Sequence, residues 1–234
     1  MMQISDNVPL TDWKNAQIPD ALTLQGHYVK LVPLDVSKHL DDLYTAATAK
    51  NADVHQWDYL AVGPFAGRAD FLVWLQACAQ SSDPLFFTVI DPVTNIAQGI
   101  ISYLAIVPEH GSIEIGHVWF SASMQQTNRA TEAIYLLARY AFATLGYRRL
   151  EWKCDSRNIR SQKAARRFGF TYEGLFRQHR IVKGQNRDTA WFSMLDKEWP
   201  TQALVFEKWL HVDNFDSDHK QKQSLDQIRL SVPI

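Results

Sequence analysis

The segment QQTNRATEA, Gln125 to Ala133, gathers residues suited to holding an anion. It follows an apolar strand pattern and opens an amphipathic helical one, which places its backbone amides at a helix N-terminus. The first amides of a helix lack intrahelical partners, and the aligned peptide dipoles leave about half a positive charge there. A pyrophosphate suits that position. Gln125, Gln126, Thr127, Asn128, Arg129, Ala130 and Thr131 are the candidate anion-binding residues. The stretch reads equally as an ordinary capped helix start, with Thr127 or Asn128 as the cap and Glu132 folding back as a capping box. Two groups able to move a proton precede it on the strand pattern SIEIGHVWF (112–120), Glu114 and His117. Alternation sets Glu114 opposite Ile113 and Ile115, facing either a cleft or solvent. It sets His117 on the other face with Ile115 and Trp119, where a lone histidine is more often a hydrogen-bonded core residue.

The positioning elements follow from periodicity. Residues 1–21 read as an irregular arm broken by Pro9 and Pro19. Seven strand patterns span 27–34, 85–91, 97–107, 112–120, 148–155, 170–182 and 187–195. Helical patterns cover Asp35 to Lys50, Arg68 to Gln80, the quoted segment to Leu145, Asn158 to Phe168 and 198–210, and residues 211–234 read as a polar, loosely ordered tail. The order predicts one α+β domain over 22–210. Its mixed, mostly antiparallel twisted sheet has about seven strands, a locally parallel centre and helices on both faces.

Composition removes several function classes. The net charge of -1 gives no broad field for nucleic acid or anionic lipid, although Arg157, Arg160, Arg166 and Arg167 cluster. No apolar run is long enough for a membrane span, and MMQISDNVPL is not a secretory leader. Cys78 and Cys154 lack metal-ligand spacing and read as core thiols of a reducing, cytoplasmic compartment. Monomer and homodimer stay open.

The run from SIEIGHVWF through QQTNRATEA to DSRNIRSQKAARRFGFTYEG resembles the GNAT superfamily of acyl-CoA N-acyltransferases, and within it the branch acetylating ribosomal-protein N-termini. The resemblance implies acetyl-CoA as co-substrate, no metal, and direct transfer to an amine, either a protein N-terminus or a small molecule. The phosphate-cradling pattern falls on Gln125, Asn128 and Ala130, with Asn128 standing where the family has glycine. Asn158 falls on the asparagine that meets the pantetheine arm, and Ser161 on a serine near the sulfur. The tyrosine that many members use as an acid is replaced by Ala165. Arg129, Arg160 and Lys163 are candidate phosphate partners or plain surface charges.

Acetyl transfer needs a neutral amine, donors for the oxyanion and help for the departing thiolate. Glu114 is the first candidate base, His117 the second, and Ser161 a donor to the sulfur. Backbone amides at Val118, Trp119 and Phe120 are the implied oxyanion donors if the strand splays there. Trp57, Tyr59 and Phe65 would wall the acceptor side, with Asp58 holding an ammonium, although aromatics in such a loop pack more often than they bind. Arg187 and Asp188 read as an ion pair bracing the last hairpin. A non-catalytic CoA sensor on the same fold is the rival reading.

Overall fold

The computed structural model describes residues 9–53, 55–218 and 220–232. Among them one mixed sheet runs in the order β1-β2-β3-β4-β5-β6-β8-β7. The strands are β1 (Leu24–Gln25), β2 (Lys30–Pro33), β3 (Leu85–Ile90), β4 (Ala97–Val107), β5 (Ser112–Phe120), β6 (Arg149–Asp155), β7 (Thr171–Val182) and β8 (Gln185–Leu195). Every neighbouring pair is antiparallel except β5 and β6. The count is eight rather than seven because the 27–34 pattern begins with a turn that folds β1 back onto β2. Helices α1 (Val36–Ala47), α2 (Arg68–Gln80), α3 (Asn128–Arg139), α4 (Ile159–Arg167), α5 (Trp199–Leu210) and α6 (Leu225–Ser231) cover both faces.

Adjacent strand residues divide between two cores. Phe87, Val89, Ile113 and Ile115 pack with α3, α5 and α6, whereas Phe86, Ile90, Ile100 and Trp119 pack with α1 and α2. Helix α3 buries Thr131 through Ala138 without a break and continues as a π-helical turn over Tyr140–Thr144, ended by Gly146 at φ +77.

The N-terminal arm is irregular over the described residues 9–23, residues 1–8 lying outside them, yet it is docked on the domain, and the tail differs from the expected loose segment. Ala16 is buried, and the Trp13 indole donates to the Glu109 carbonyl. In the tail, Ser224 opens α6 with a reciprocal capping box, and Leu225, Ile228 and Val232 enter the core. Three apolar residues spaced three and four apart carry that docking; the surrounding polar residues mask them in the sequence.

Candidate functional site

Strands β5 and β6 pair only at Ser112↔Arg149, Ile113↔Leu150 and Glu114↔Glu151. Beyond Glu114 they diverge, and the β6-facing edge of β5 has no strand partner. A cleft of about 1860 Å3 opens at this splay, lined by β5 from Glu114 to Phe120, the start of α3, and α4. That exceeds the ~300–1,000 Å3 of sites for drug-sized molecules, so it has room for a long cofactor and an acceptor together.

The α3 end of the cleft is built for an anion. Thr127 is the N-cap but makes no side-chain cap bond; its hydroxyl donates back to the Met124 carbonyl. The amides of Gln126 through Ala130 meet no acceptor among the described residues. Five consecutive free amides exceed what ordinary capping leaves. Asn128 is the first helical residue, so its position needs no left-handed backbone; that conformation falls on Gln126, φ 62. The glycine replacement therefore does not distort the turn.

Glu132 does not form the expected capping box. Its carboxylate is buried and accepts the amides of His27 at 2.9 Å, Tyr28 at 2.6 Å and Val29 at 2.8 Å, tying the β1–β2 turn to α3. Arg129 is occupied by Asp91 and Gln98, both at 2.9 Å, and Arg160 by Asp53 at 2.6 Å. Lys163 is not in the cleft lining, whereas Arg167 is, bonded to the Thr131 hydroxyl at 3.0 Å.

At the splay, a bulge overrides strand alternation. Ile100 pairs with Trp119 but Ser102 with Gly116, so β5 carries one extra residue, and His117 takes φ 47. His117 consequently reaches Ser102 Oγ at 3.2 Å and packs against Phe86, on the same side as Glu114 rather than the opposite one. Both line the cleft. Trp119 also changes side, stacking on Trp57 at 5.3 Å while its indole donates to Gln56. Burial pushes the Glu114 carboxyl up against the opposing pull of Lys153, and it pushes His117 down, with Arg180 and Arg187 adding to the effect.

Lys153 was not anticipated. Its ammonium lies 2.9 Å from Glu114, 2.6 Å from Glu151 and 3.9 Å above the Trp191 ring. The sequence signal was the polar alternation Glu151, Lys153, Asp155 in a strand that proves interior.

On α4, the Asn158 carboxamide caps the helix by accepting the Ser161 amide at 3.0 Å, and the Trp152 indole donates to Ser161 Oγ at 2.9 Å. Asn158, Arg160 and Ser161 all line the cleft. Ala165 is fully buried and does not line the cleft.

The acceptor side differs from expectation. Trp57 and Phe65 are packing residues in a cluster with Phe71 and Trp74 and do not line the cleft. Asp58 and Tyr59 do line it, but Asp58 pairs with His55 at 2.9 Å and the Tyr59 hydroxyl donates to the Arg157 carbonyl. The β7–β8 hairpin supplies the opposite wall. Its tip is clasped to the α1–α2 loop by Lys183 Nζ donating to the Trp57 carbonyl at 2.7 Å. A second bulge, with Gln178 at φ 50, sits between the pairs Phe176↔Thr189 and Arg180↔Arg187. Asp188 fills it by accepting the Gln178 amide at 2.7 Å, so it is not the partner of Arg187. His179, Arg180, Arg187 and Thr189 line the cleft instead.

Comparison with known proteins agrees with this geometry. The acetyltransferase (GNAT) domain profile matches residues 29–171. A GCN5-related N-acetyltransferase of Brucella melitensis superimposes with TM-score 0.91 at 43% identity, covering 94% of this chain and 99% of that one. The uncharacterized N-acetyltransferase p20 of Bacillus licheniformis is 31% identical over 113 residues, 48% of this chain and 63% of its own. YdaF of Bacillus subtilis, whose name assigns it provisionally to ribosomal N-acetylation, is 30% identical over 43% of this chain and 55% of its own. These two curated relatives are thus matched over less than two thirds of their length. With a profile spanning more than half of it and a near-complete structural match at 43% identity, the chain belongs to the GNAT family of N-acetyltransferases.

Proposed function

We propose that this chain moves an acetyl group from acetyl-CoA to an amine by direct transfer within the cleft. The observation that carries this reading is the splay after Glu114↔Glu151, with a buried carboxylate at its apex and five free amides at the α3 end. Acetyl-CoA supplies the activated acyl thioester. The residues present fit it: the amides of Gln126 to Ala130 suit a pyrophosphate, and the unpaired edge of β5 at Val118 to Phe120 suits an extended amide-bearing arm. Asn158 and Ser161 flank that edge from α4; Asn158 Nδ2 meets no acceptor among the described residues, and the Ser161 hydroxyl lies beside the Cys154 thiol.

Glu114 takes the amine proton, directly or through a water. Lys153 opposes the burial that raises this carboxyl, favouring its charged form, and the carboxylate then holds the proton that the attacking nitrogen sheds. His117, neutral through burial, hydrogen-bonds the acceptor rather than carrying charge. The cysteines take no part as nucleophiles: both are buried, and burial pushes Cys78 up to about 12. An α-amine, with an ordinary pKa near ~8, needs less from the base than a lysine near ~10.4. An N-terminal or small-molecule amine is therefore the preferred acceptor class, and the alignment with YdaF supports including protein N-termini.

The test is release of the CoA thiol from acetyl-CoA across a panel of peptide and small-molecule amines, alongside calorimetry of acetyl-CoA binding. Turnover lost in Glu114→Gln with binding retained supports the reading. Micromolar binding without turnover on any amine would leave the CoA-sensor alternative in its place.

A further inference from the structure

Two arginines on the acceptor wall have no counter-ion. Arg180 and Arg187 face each other across the β7–β8 ladder, and neither makes a salt bridge among the described residues. Arg187 is the more enclosed, and its Nε is buried with no hydrogen-bond partner. The nearby carboxylates are engaged elsewhere: Glu114 and Asp155 in the cleft with Lys153 and Arg157, and Asp188, outside its lining, with the bulge amide. Burial and the neighbouring Arg180 both weigh against the charge on Arg187, while Asp155 and Glu114 offset them only at a distance. A part-buried guanidinium that presents unused donors into a cleft is costly unless an anion completes it.

The placement says which anion. Thr189, Arg187 and Arg180 share one face of the hairpin, and the paired residues Lys153 and Trp191 continue that face to Glu114. The guanidinium therefore stands on the same wall of the cleft as the carboxylate that receives the amine proton. The free amides that suit pyrophosphate lie instead at the α3 N-terminus. A planar fork of donors matches a carboxylate or phosphate in two-point contact.

We propose that the acceptor is an amine that also carries an anionic group, held by Arg187 with Arg180 at the rim, so that Arg187 determines acceptor specificity. An α-amino acid or an amine phosphate ester has this chemistry; a simple alkylamine does not. The inference rests on the acetyl-transfer reading above for the word acceptor, but the anion site itself is independent of turnover.

The experiment compares kcat/KM for α-amino acids with their α-amides, and for phosphoethanolamine with ethanolamine, in the parent protein, Arg187→Met and Arg187→Lys. A two-point charged contact predicts a preference of about ten- to a hundredfold for the anionic member of one pair, and which pair shows it identifies carboxylate or phosphate. Arg187→Met should collapse that ratio toward one, and Arg187→Lys should restore part of it. No preference in the parent, or equal losses on anionic and neutral acceptors, overturns the proposal. A second measurement needs no catalysis: calorimetry on the CoA-loaded protein with N-acetylated amino acids, N-acetylated phosphoethanolamine and their neutral counterparts. An Arg187-dependent difference without turnover would keep the anion site and remove the acetyl-transfer reading; equal binding of anionic and neutral ligands would remove the anion site whatever the turnover.

Discussion

Replacing Lys153 by methionine tests the base most sharply. The side chains are similar in length, so packing over Trp191 is largely kept while the ammonium 2.9 Å from Glu114 is lost. Glu151 keeps Arg149 as a partner at 2.7 Å, but Glu114 keeps none within bonding distance. Two unit charges 2.9 Å apart interact by about 6 kcal/mol at an effective dielectric of ~20, which sets an upper bound of ~4 pK units. Relaxation and water entry reduce this, so a rise of one to three units is expected. Burial already raises this carboxyl, and Lys153 is the chief force opposing it. The acidic limb of kcat/KM against pH, measured by CoA thiol release, should therefore move upward by at least one unit. Activity should fall most on the acidic side of the profile and recover toward the parent value at higher pH. A uniform loss at every pH, with the limb unmoved, would refute both the base role of Glu114 and the tuning role of Lys153.

Three further outcomes follow from named contacts. Glu132→Gln leaves a buried amide nitrogen facing backbone donors at the β1–β2 turn and should cost roughly 3 kcal/mol, lowering Tm by about 6–12 °C in thermal melts; a shift within about 2 °C would mean the turn is not held by that charge. Asn158→Ala removes the α4 cap and should lower stability by ~1 kcal/mol in denaturant titrations and weaken CoA binding in calorimetry, whereas unchanged affinity would confine Asn158 to capping. His39, His117 and His179 are all held below the ordinary histidine range, chiefly by burial, and His39 Nδ1 accepts the Asp35 amide. Their contribution is present above pH ~6.5 and lost as pH falls through the folded values, so urea midpoints should decline steadily below pH 6.5; a flat profile from pH 6.5 to 5 would contradict it.

Where local pattern alone decides structure, the sequence was legible. The spans of α2, β4 and β5 matched the apolar periodicity to the residue, and the α3 N-terminus lay where its polar opening placed it. Long-range partners and broken alternation were not legible. His117 changed sides because of one extra residue in β5, and Asp188 left Arg187 to fill the bulge opposite it in β7. Neither leaves a trace in a period-two pattern. Glu132 sits at a capping-box position yet answers amides over a hundred residues upstream. Trp57 and Phe65 followed the ordinary tendency of aromatics to pack, and Glu114 kept the face that alternation gave it because it precedes the bulge that turned His117.

The clasp between Lys183 and the Trp57 carbonyl sets how firmly the tip of the β7–β8 hairpin is fastened to the α1–α2 loop. It is one hydrogen bond from an exposed ammonium, with a net strength of no more than about 1 kcal/mol. At that strength the closed form outnumbers the open one only about five to one, and side-chain rearrangements of this kind take nanoseconds to microseconds. The hairpin tip is therefore fastened to the α1–α2 loop most of the time yet comes free many times within a millisecond.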